Sequence, residues 1–338
     1  MADRDDLARA FLADTGWAGA RVLPLAGDAS NRRYLRLTMG AETAVLMDAP
    51  PAKGENVRPF LHIGGFLNGI GLSAPRVLAA DEDRGFLLLE DLGDALFARV
   101  IADTPALETE LYGAATDLLT ALHRNVPPEG LAEYDPALMA DMAVLAFDWY
   151  AGHTQGFTPV DRAAFLVEIE AVLAENASDH RVLIQRDYHA ENLLWLPNRH
   201  GVARVGLLDF QDAMLGHPAY DLVSLLQDAR RDVPPGVETR MIDRYKRTGD
   251  YDPPGFDVAY HVLGAQRNLR IIGVFSRLCL RDGKVHYTDL IPRVWGLLQR
   301  DLAHPALGPL RRYTNTLPAP SDDVLNQLKA KCATVPHP

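Results

Sequence analysis

A polar insert in an apolar run is the feature of this chain that most restricts its fold. Residues 183–196 read LIQRDYHAENLLWL, and the polar side chains between the two apolar segments are Arg186, Asp187, His189, Glu191 and Asn192. An unpaired polar group in a core costs a few kcal/mol, so a buried strand does not carry such an insert without a use for it. The pattern therefore predicts a loop with a chemical role between two buried segments.

A β-hairpin is predicted directly after this insert. The apolar runs 193–196 and 205–208 flank a segment that contains the turn-forming residues proline, asparagine and glycine. In an antiparallel pair the start of the first strand lies beside the end of the second. This pairing places Asn192 and Asp209 at one rim of the hairpin, with Asp187 in the loop that enters it.

The residues at this rim have the chemistry of a phosphoryl-transfer site. Oxygen ligands such as Asn192 and Asp209 suit Mg²⁺, which proteins hold with one or two carboxylates and substrate phosphates. Protein kinases use a catalytic-loop aspartate, an asparagine five residues later and the aspartate of a D-F-G segment. The matching text here is RDYHAEN and DFQD. The structural alternative is that Asp187 and Asn192 cap turns and Asp209 ends a strand. All three residues together on one strand–turn–strand favour phosphoryl transfer.

Hydrophobic periodicity divides the chain into a β-rich part that ends near Gly93 and a longer helical part. The predicted strands of the first part cover residues 21–25, 34–38, 43–47 and the two sides of a turn at 81–85. In chain order they predict a five-stranded meander with one inserted helix. The predicted helices cover residues 3–14, 56–68, 138–150, 218–230 and 256–280. Two further helices are predicted to begin with a threonine N-cap and a proline, at Thr104–Pro105 and Thr158–Pro159.

The chain resembles the aminoglycoside phosphotransferase and choline kinase family, relatives of the protein kinases, over essentially its whole length. The likeness rests on the loop RDYHAEN, the segment LLDFQDAMLGHPAYDL, the connector FLLLEDL and the helix LLTALH. Within the family the chain is similar to bacterial kinases that act on the anomeric hydroxyl of N-acetylmuramate and N-acetylglucosamine. That narrower likeness rests on LAGDASNRRYLRL, MDAPP, RDYHAENLLWL and QRNLRIIGVFSRL.

The resemblance implies an α+β, two-lobed, protein-kinase-like fold that uses ATP and Mg²⁺. A small β-rich nucleotide-binding lobe is expected over residues 1–92, and a larger, mostly helical catalytic lobe over 93–338. By position in the motifs, Asp187 is the expected catalytic base, and Asn192 and Asp209 are the expected magnesium ligands. Asp221 is the expected structural carboxylate beneath the catalytic loop. From the residues alone, it is equally an acidic residue favoured at a helix N-terminus.

The nucleotide is expected to meet the β-rich lobe at two places. Residues 27–33 lie between two strands, and Gly27, Ser30 and Arg32 fit a loop that covers phosphates. An ordinary hairpin turn is the alternative for this segment. By resemblance, Glu90 and Leu92 belong to the connector whose backbone pairs with adenine.

One position departs from the family pattern. The third strand of the family carries a lysine for the α- and β-phosphates, but TAVLMDAP places Met47 there. A cation from Arg32, Arg33 or Lys53 can replace it, or phosphate binding falls to magnesium and backbone. The absence also leaves open a nucleotide-binding pseudokinase that acts as a partner-binding module, against which the complete triad argues.

The acceptor is expected to be a small-molecule sugar. Candidate substrate ligands are His189, Trp149, Gln266 and Arg267, because amides and an arginine fork suit an N-acetyl carbonyl and a lactyl carboxylate. Alternatively, His189 has a structural role and Trp149 lies in the core. Gln266 and Arg267 then face solvent or cap the interior of a long helix. An aminoglycoside, choline or another small hydroxyl compound is the alternative acceptor, which the net charge of −11 favours.

Composition narrows the class of partner and the compartment. An acidic chain is a poor binder of nucleic acid. No apolar run reaches the roughly 18 residues that a membrane span needs, and the N-terminus lacks a signal-peptide pattern. Two cysteines cannot form a disulfide framework. We therefore expect a cytoplasmic enzyme with no membrane partner; the sequence carries no signal for oligomeric state.

Overall fold

A computed structural model describes residues 4–25, 31–154, 160–179, 181–249 and 253–336. The strands are β1 (Arg21–Pro24), β2 (Arg33–Met39), β3 (Glu42–Asp48), β4 (Val77–Asp81), β5 (Phe86–Glu90), β6 (Val182–Ile184), β7 (Leu193–Trp195), β8 (Val205–Leu207) and β9 (Met214–Gly216). The α-helices are α1 (Arg4–Asp14), α2 (Arg58–Gly69), α3 (Phe97–Asp103), α4 (Glu108–Leu122), α5 (Pro136–Ala143), α6 (Arg162–Asn176), α7 (Ala219–Leu226), α8 (Pro235–Thr248), α9 (Pro253–Leu280), α10 (Ile291–Leu302), α11 (Arg311–Thr314) and α12 (Asp322–Ala330). Within the described ranges, no helix is both long enough and apolar enough to cross a membrane.

The chain forms two compact units, and both are discontinuous in sequence. The first unit comprises Met1–Leu122 and Ala190–Ala213, and the second comprises His123–His189 and Met214–Pro338. The lobe boundary expected at residues 92 and 93 lies inside the first unit, so that division stays a prediction. The hairpin of β7 and β8 belongs to the first unit, whereas the catalytic-type loop that precedes it belongs to the second.

The first unit is built on an antiparallel sheet whose strand order is β1-β2-β3-β5-β4. The predicted meander order is therefore wrong for the last two strands. The reason is burial: β5, with the sequence FLLLE, is buried almost throughout, whereas β4 is largely exposed. The more apolar strand takes the central place beside β3, and α2 in the connection gives the chain the length to reach the far edge.

Helix α1 covers one face of this sheet. Its Ala8, Phe11 and Leu12 pack in a cluster with strand residues that share one face, among them Leu46 and Phe86. The Phe11 and Phe86 rings stack with centroids 5.7 Å apart. Burial of these side chains is the main favourable term that holds α1 on the sheet.

The hairpin of β7 and β8 is confirmed as an antiparallel pair in which Leu193 faces Leu207. Its backbone is bonded to other parts of the first unit. The N–H of Leu207 donates to the carbonyl of Ser73 at 2.9 Å, and the N–H of Trp195 donates to the carbonyl of Ala95 at 2.7 Å. These bonds fix the position of the hairpin rim within that unit.

The second unit is helical, with α9 as its longest element. Helices α5, α7 and α10 pack against α9, and the small sheet of β6 and β9 pairs Leu183 with Leu215. The 3-residue strand β9 was not among the sequence predictions, because MLG carries no strand periodicity. Helix α5 is followed by a π-helical turn at Ala146–Tyr150, so the helix predicted over 138–150 is not continuous.

The two predicted threonine caps have different outcomes. Thr104 occupies the N-cap position with Pro105 directly after it, as predicted, but the element that they begin is a 3-10 turn at Pro105–Leu107 ahead of α4, and the Thr104 side chain makes no capping bond. Thr158 and Pro159 lie outside the described residues. Asp161 is the N-cap of α6, where its carboxylate accepts from the N–H of Ala164 at 3.0 Å. A carboxylate is a strong N-cap acceptor, which explains the later start of the helix.

A glycine permits the close approach of α9 to the segment before the π-helical turn. A Cβ on Gly273 would lie 2.3 Å from the backbone carbon of Leu145. We expect Gly273→Ala to lower the free energy of unfolding by about 2 kcal/mol or more, since backbone cannot move aside as a flexible side chain can. Urea denaturation of the two proteins measures the difference.

The matched control is Gly296→Ala in α10, where nothing lies within 4 Å of the added Cβ. That change should leave stability unaltered or raise it by about 0.5–1 kcal/mol, since alanine is the better helix former. Equal unfolding midpoints for both variants would contradict the close packing of α9 at Gly273.

Candidate active site

The loop that follows β6 is held by a buried carboxylate. Asp221 lies in the first turn of α7 and is fully buried. Its two oxygens accept from the backbone N–H of Gln185 at 2.6 Å and of Arg186 at 2.9 Å. The hydroxyl of Ser224, one turn further along α7, donates to the carbonyl of Arg186 at 3.2 Å. Helix α7 thus fixes the backbone immediately before Asp187.

Two residues of the predicted motifs have left-handed backbone conformations. Arg186 has φ of 70° and Asp209 has φ of 56°. In the described part of the chain, only Ala333 among other non-glycine residues has positive φ. Such conformations cost on the order of 1–3 kcal/mol for residues with a Cβ, and they concentrate at functional sites. The two strained residues therefore lie in RDYHAEN and DFQD, the two motifs that predict phosphoryl transfer.

The carboxylate of Asp187 lies among cationic groups of the second unit. Burial opposes its ionisation, but the neighbouring guanidinium groups of Arg270, Arg267 and Arg186 outweigh that effect and lower the pKa of Asp187. The side chain keeps part of its surface exposed. Asp187 is therefore ionised at neutral pH and can accept a hydrogen bond from a hydroxyl.

His189 is buried two residues after Asp187, and its Nε2 lies 3.2 Å from Nη1 of Arg230. Burial lowers the pKa of His189 to about 4, so the imidazole is neutral near pH 7. Arg230 keeps part of its surface exposed. No sequence motif marks Arg230, because its importance comes from the fold and not from its neighbours in the chain.

A further arginine is oriented by aromatic residues. Nη1 of Arg270 lies 3.5 Å from the hydroxyl of Tyr220, whose ring meets Tyr134 edge-on at 5.1 Å. The guanidinium of Arg186 lies over the ring of Tyr134 at 5.3 Å from its centroid. The four arginines near Asp187 and His189 in the second unit are Arg186, Arg230, Arg267 and Arg270. Arg186, Arg267 and Arg270 lie in the motifs RDYHAEN and QRNLRIIGVFSRL, whereas Arg230 lies in neither.

The polar residues of α9 are interior residues with internal partners. Gln266 donates to the carbonyl of Met139 at 2.8 Å. Arg267 is buried, and its guanidinium donates to the carbonyl of Gln227 at 3.2 Å and the hydroxyl of Ser224 at 2.9 Å. The alternative that these residues face solvent is thereby wrong. A direct role of Gln266 or Arg267 in binding substrate stays a prediction.

Trp149 lies in the π-helical turn and stacks on His153, with centroids 5.9 Å apart and planes 11° from parallel. Its side chain is half-buried. The adjacent Tyr150 is fully buried and donates its hydroxyl to the carbonyl of Pro318 at 2.7 Å. Tyr150 is therefore a core residue, and Trp149 as a substrate contact stays a prediction.

In the first unit, the hairpin rim brings Asn192 and Asp209 together. The N–H of Leu208 donates to the carbonyl of Asn192 at 3.0 Å. Asp209 therefore lies directly after the residue that is bonded to Asn192. The amide of Gln211 donates to Oδ1 of Asp209 at 2.7 Å. Phe210 packs on Phe60 of α2, with ring centroids 4.8 Å apart. The aromatic contact holds the segment that presents Asp209.

This donor set fits magnesium. In the part of the chain that the structure describes, no group of three or more His, Cys, Asp and Glu residues is arranged to hold a metal ion. One carboxylate and one amide oxygen at the rim match the way Mg²⁺ is bound, with remaining positions filled by water and substrate phosphates. A zinc-type cage is not what these residues form.

Only some of the residues that are expected to bind the nucleotide lie in the described part of the chain. Gly27 and Ser30 lie outside the described residues. Arg32 donates from Nε to Glu55 at 2.7 Å. Glu90 accepts from Arg199 at 2.7 Å and also pairs with Arg76. The carboxylate of Glu90 is thus engaged in ion pairs, whereas adenine recognition was expected of the backbone of this connector.

The position of the absent lysine is filled by a buried apolar side chain, Met47. Of the suggested replacements, Arg33 is bound to the fully buried Asp48, with Nε at 2.8 Å from Oδ2. Arg4 binds the other oxygen of Asp48 at 2.7 Å. Arg33 and Arg32 therefore already have carboxylate partners within the first unit.

Comparison with known proteins agrees with this geometry. The sequence pattern of the phosphotransferase enzyme family (APH) matches residues 21–263. A choline kinase from Streptococcus pneumoniae superposes with a TM-score of 0.60 at 13% identity, over 88% of this chain and 99% of that chain. An ADP-bound aminoglycoside phosphotransferase, APH(2'')-Ib, superposes with a TM-score of 0.57 at 16% identity, over 87% and 96%. The fold is therefore protein-kinase-like, as the resemblance implied.

The chain belongs to the phosphotransferase enzyme family, a family of ATP-using kinases. A curated relative from Caulobacter vibrioides, named N-acetylmuramate/N-acetylglucosamine kinase, is 42% identical over 92% of this chain and 96% of its own length. Three further curated relatives carry the same name at 33 to 36% identity. The family and the narrower likeness read from the sequence motifs are both confirmed.

The buried carboxylate of Asp221 should make stability depend on pH. Burial raises its pKa to about 7, against the opposing effect of the N–H groups of Gln185 and Arg186. A carboxyl with a raised pKa stabilises the fold fully below its unfolded pKa of about 4, and that contribution is lost as pH rises through about 7. The advantage of the parent over Asp221→Asn, which cannot ionise, should therefore shrink across this window.

Urea denaturation of both proteins at several pH values measures this difference. Other titrating groups affect both proteins alike and cancel. A stability difference that stays constant or grows with pH across this window would contradict the assignment.

Proposed function

We propose that this protein is an ATP- and magnesium-dependent kinase that phosphorylates the anomeric hydroxyl of N-acetylmuramate and N-acetylglucosamine. The observation that carries the proposal is the loop held by Asp221, which presents an ionised Asp187 among arginines. The name shared by the curated relatives supports the acceptor class. Aminoglycoside, choline or another hydroxyl acceptor is the alternative within the same fold.

The chain contributes to catalysis mainly by positioning the reactants and by electrostatic interactions. Asp187 accepts a hydrogen bond from the acceptor hydroxyl, orients its oxygen towards the transferred phosphoryl group and takes its proton. Its lowered pKa keeps it ionised, so it is ready to accept without first losing a proton of its own. An anomeric hydroxyl is more acidic than an ordinary alcohol, which suits a base of low pKa.

Asn192 and Asp209 would hold magnesium at the hairpin rim. When bound there, the ion neutralises charge on the nucleotide phosphates. Gln211 orients the carboxylate of Asp209 through its 2.7 Å hydrogen bond. The left-handed backbone at Asp209 departs from the extended conformation of β8. Strain at this residue is consistent with selection for the carboxylate's direction.

The nucleotide is assigned to the first unit. The backbone of Glu90–Leu92 would pair with adenine, and residues 27–33, with Gly27, Ser30 and Arg32, would bind the phosphates. Because Met47 replaces the family lysine, backbone N–H groups and a bound magnesium ion would carry more of the phosphate binding here. Glu55 accepts a hydrogen bond from Nε of Arg32, so the charge that Arg32 brings to this loop is already paired.

The local charge around Asp187 favours an anionic acceptor. The whole chain carries −11, which by itself would attract an amine. Near Asp187 and His189, however, four arginines face the carboxylates of Asp187 and Asp228. Arg186, Arg230 and Arg270 keep exposed surface that can reach a ligand. A lactyl carboxylate is the group that such a cluster binds, whereas a polyamine is repelled.

An acceptor panel tests the function. ADP release is coupled to NADH oxidation with N-acetylmuramate, N-acetylglucosamine, their 1-O-methyl glycosides, kanamycin and choline. We expect turnover with the two reducing sugars alone. The KM for the carboxylate-bearing N-acetylmuramate should be the lower of the two, and it should rise towards the KM for N-acetylglucosamine as the salt concentration increases. Equal turnover of the 1-O-methyl glycosides would overturn the anomeric assignment. ADP release only with kanamycin or choline would support the alternative class of acceptor. No ADP release with any acceptor would favour a pseudokinase.

Replacement of the base should separate binding from turnover. Asp187→Asn keeps the shape of the side chain but cannot take a proton, so we expect loss of kcat by about a thousandfold or more with nucleotide affinity retained. Glu191→Gln is the matched control, since Glu191 is an exposed carboxylate in the same segment. Steady-state kinetics and nucleotide titration report both quantities. Turnover within a few-fold of the parent would remove Asp187 from the mechanism.

Replacement of the rim carboxylate should affect metal dependence. We expect Asp209→Ala to weaken nucleotide binding measured with magnesium far more than binding measured with a chelator present, because one of two protein ligands is lost. Asp83→Ala, an exposed carboxylate of the first unit, is the control. Superimposable magnesium titrations for Asp209→Ala and the parent would show that Asp209 is not a ligand.

A further inference from the structure

The two cysteines of this chain, 53 positions apart, meet in the fold. Cys279 lies in the last turn of α9 and is buried, and Cys332 follows α12 and is partly exposed. Both are free thiols. They are the only cysteines in the sequence, so any pairing within the chain has one possible connectivity.

Their contact is direct. The thiol of Cys332 lies 3.2 Å from the carbonyl oxygen of Cys279 and donates to it. The next residue, Ala333, donates its N–H to the same carbonyl at 3.0 Å. The backbones are thus close enough at this point for both side chains to share one small space.

The segment that carries Cys332 covers the C-terminal end of α9. The carbonyls of the last helical turn lack helical partners and need donors from elsewhere. Ala333 supplies one to Cys279, and Val335 supplies another to Leu280 at 3.0 Å. Ala333 adopts a left-handed conformation with φ of 58° as the chain turns across the helix end. The strained backbone at Ala333 lets the chain make these hydrogen bonds to the end of α9.

Other contacts of the segment are surface interactions. Nζ of Lys331 donates to the carbonyl of His153 at 2.7 Å, and Lys329 pairs with Asp289 at 2.6 Å. Exposed ion pairs contribute about 0–1 kcal/mol. The bonds to the end of α9 and the packing of Leu325 and Leu328 therefore provide most of what holds this segment.

We propose that Cys279 and Cys332 are a redox-sensitive pair that closes into a disulfide and fastens the C-terminal segment to the end of α9. The oxidant is a small-molecule disulfide. The thiolate of Cys332 attacks one of its sulfurs, which forms a mixed disulfide and releases one small thiol. The thiolate of Cys279 then attacks the Cys332 sulfur, which forms the protein disulfide and releases the second thiol. The two cysteines lose two electrons and two protons, and the reagent gains both.

The order of attack follows from exposure. Cys332 is accessible to a reagent, whereas burial raises the pKa of Cys279 to about 12. The buried thiol is thus a poor first nucleophile, but it lies beside the mixed disulfide once that forms. The reverse reaction opens the bond with a small thiol, so the pair responds to the thiol–disulfide balance of its surroundings.

The pair is separate from the proposed kinase chemistry. Cys279 is nine residues beyond Arg270 on the same helix, about 14 Å along its axis. A disulfide there changes no group near Asp187, and its effect is on how firmly the C-terminal segment stays folded. Closing a loop of this length restricts the unfolded chain and raises stability.

The experiment equilibrates the full chain in buffers of graded ratios of reduced to oxidised glutathione. Free thiols are then blocked under denaturing conditions, and intact mass and peptide maps are recorded. We expect a species that lacks two hydrogens, contains a Cys279–Cys332 peptide cross-link and has a higher Tm than the reduced protein. Dithiothreitol should reverse both changes.

Cys279→Ser and Cys332→Ser are the matched controls. Neither can form the bond, so neither should show a rise in Tm on oxidation, and Cys279→Ser should stop at a glutathione adduct on Cys332. The proposal is overturned if the parent also stops at that adduct, or if both thiols stay free in the most oxidising buffer. It is likewise overturned if the cross-linked parent melts no higher than the reduced parent.

Discussion

The two hydrogen bonds from the backbone of Gln185 and Arg186 to the carboxylate of Asp221 are the constraint on which the site depends. A buried carboxylate is costly unless its oxygens are satisfied, and here each oxygen receives one backbone donor. These bonds, with the Ser224 contact, hold Arg186 in a left-handed conformation that it would otherwise avoid. The direction of Asp187 follows from that turn. A change in α7 is therefore transmitted to the proposed base without any contact to substrate.

Local charge and total charge point in opposite directions in this protein. The chain carries −11, yet the arginines of the second unit surround Asp187 and lower its pKa. The same region keeps His189 neutral, because burial lowers its pKa to about 4. Under the proposed function, a few side chains within reach of the acceptor would set selectivity for an acidic sugar. Distant surface charges are screened by salt over about 10 Å and contribute little.

Sequence reasoning succeeded where the controlling interactions are local, and failed where partners are distant in the chain. The rim of Asn192 and Asp209 followed from two short apolar runs and a turn, and the family motifs indicated the fold. The order of β4 and β5 depends on which strand is more deeply buried; chain order predicted a meander, although FLLLE of β5 is more apolar than VLAAD of β4. The internal partners of Gln266 and Arg267 were not predictable, because helical periodicity cannot show which other helices cover a given face; their role in binding substrate stays a prediction. Their partners, such as Met139 and Gln227, come from other helices.

The central claim is that an ionised Asp187 directs phosphoryl transfer to an anomeric oxygen. The most direct measurement is the proton-coupled ³¹P NMR spectrum of the product formed from ATP and N-acetylmuramate. The account predicts one new monoester resonance that is coupled to the anomeric proton at C1, and loss of that resonance in Asp187→Asn. A product phosphorus coupled to the methylene protons at C6, or a resonance of equal intensity from Asp187→Asn, would contradict it.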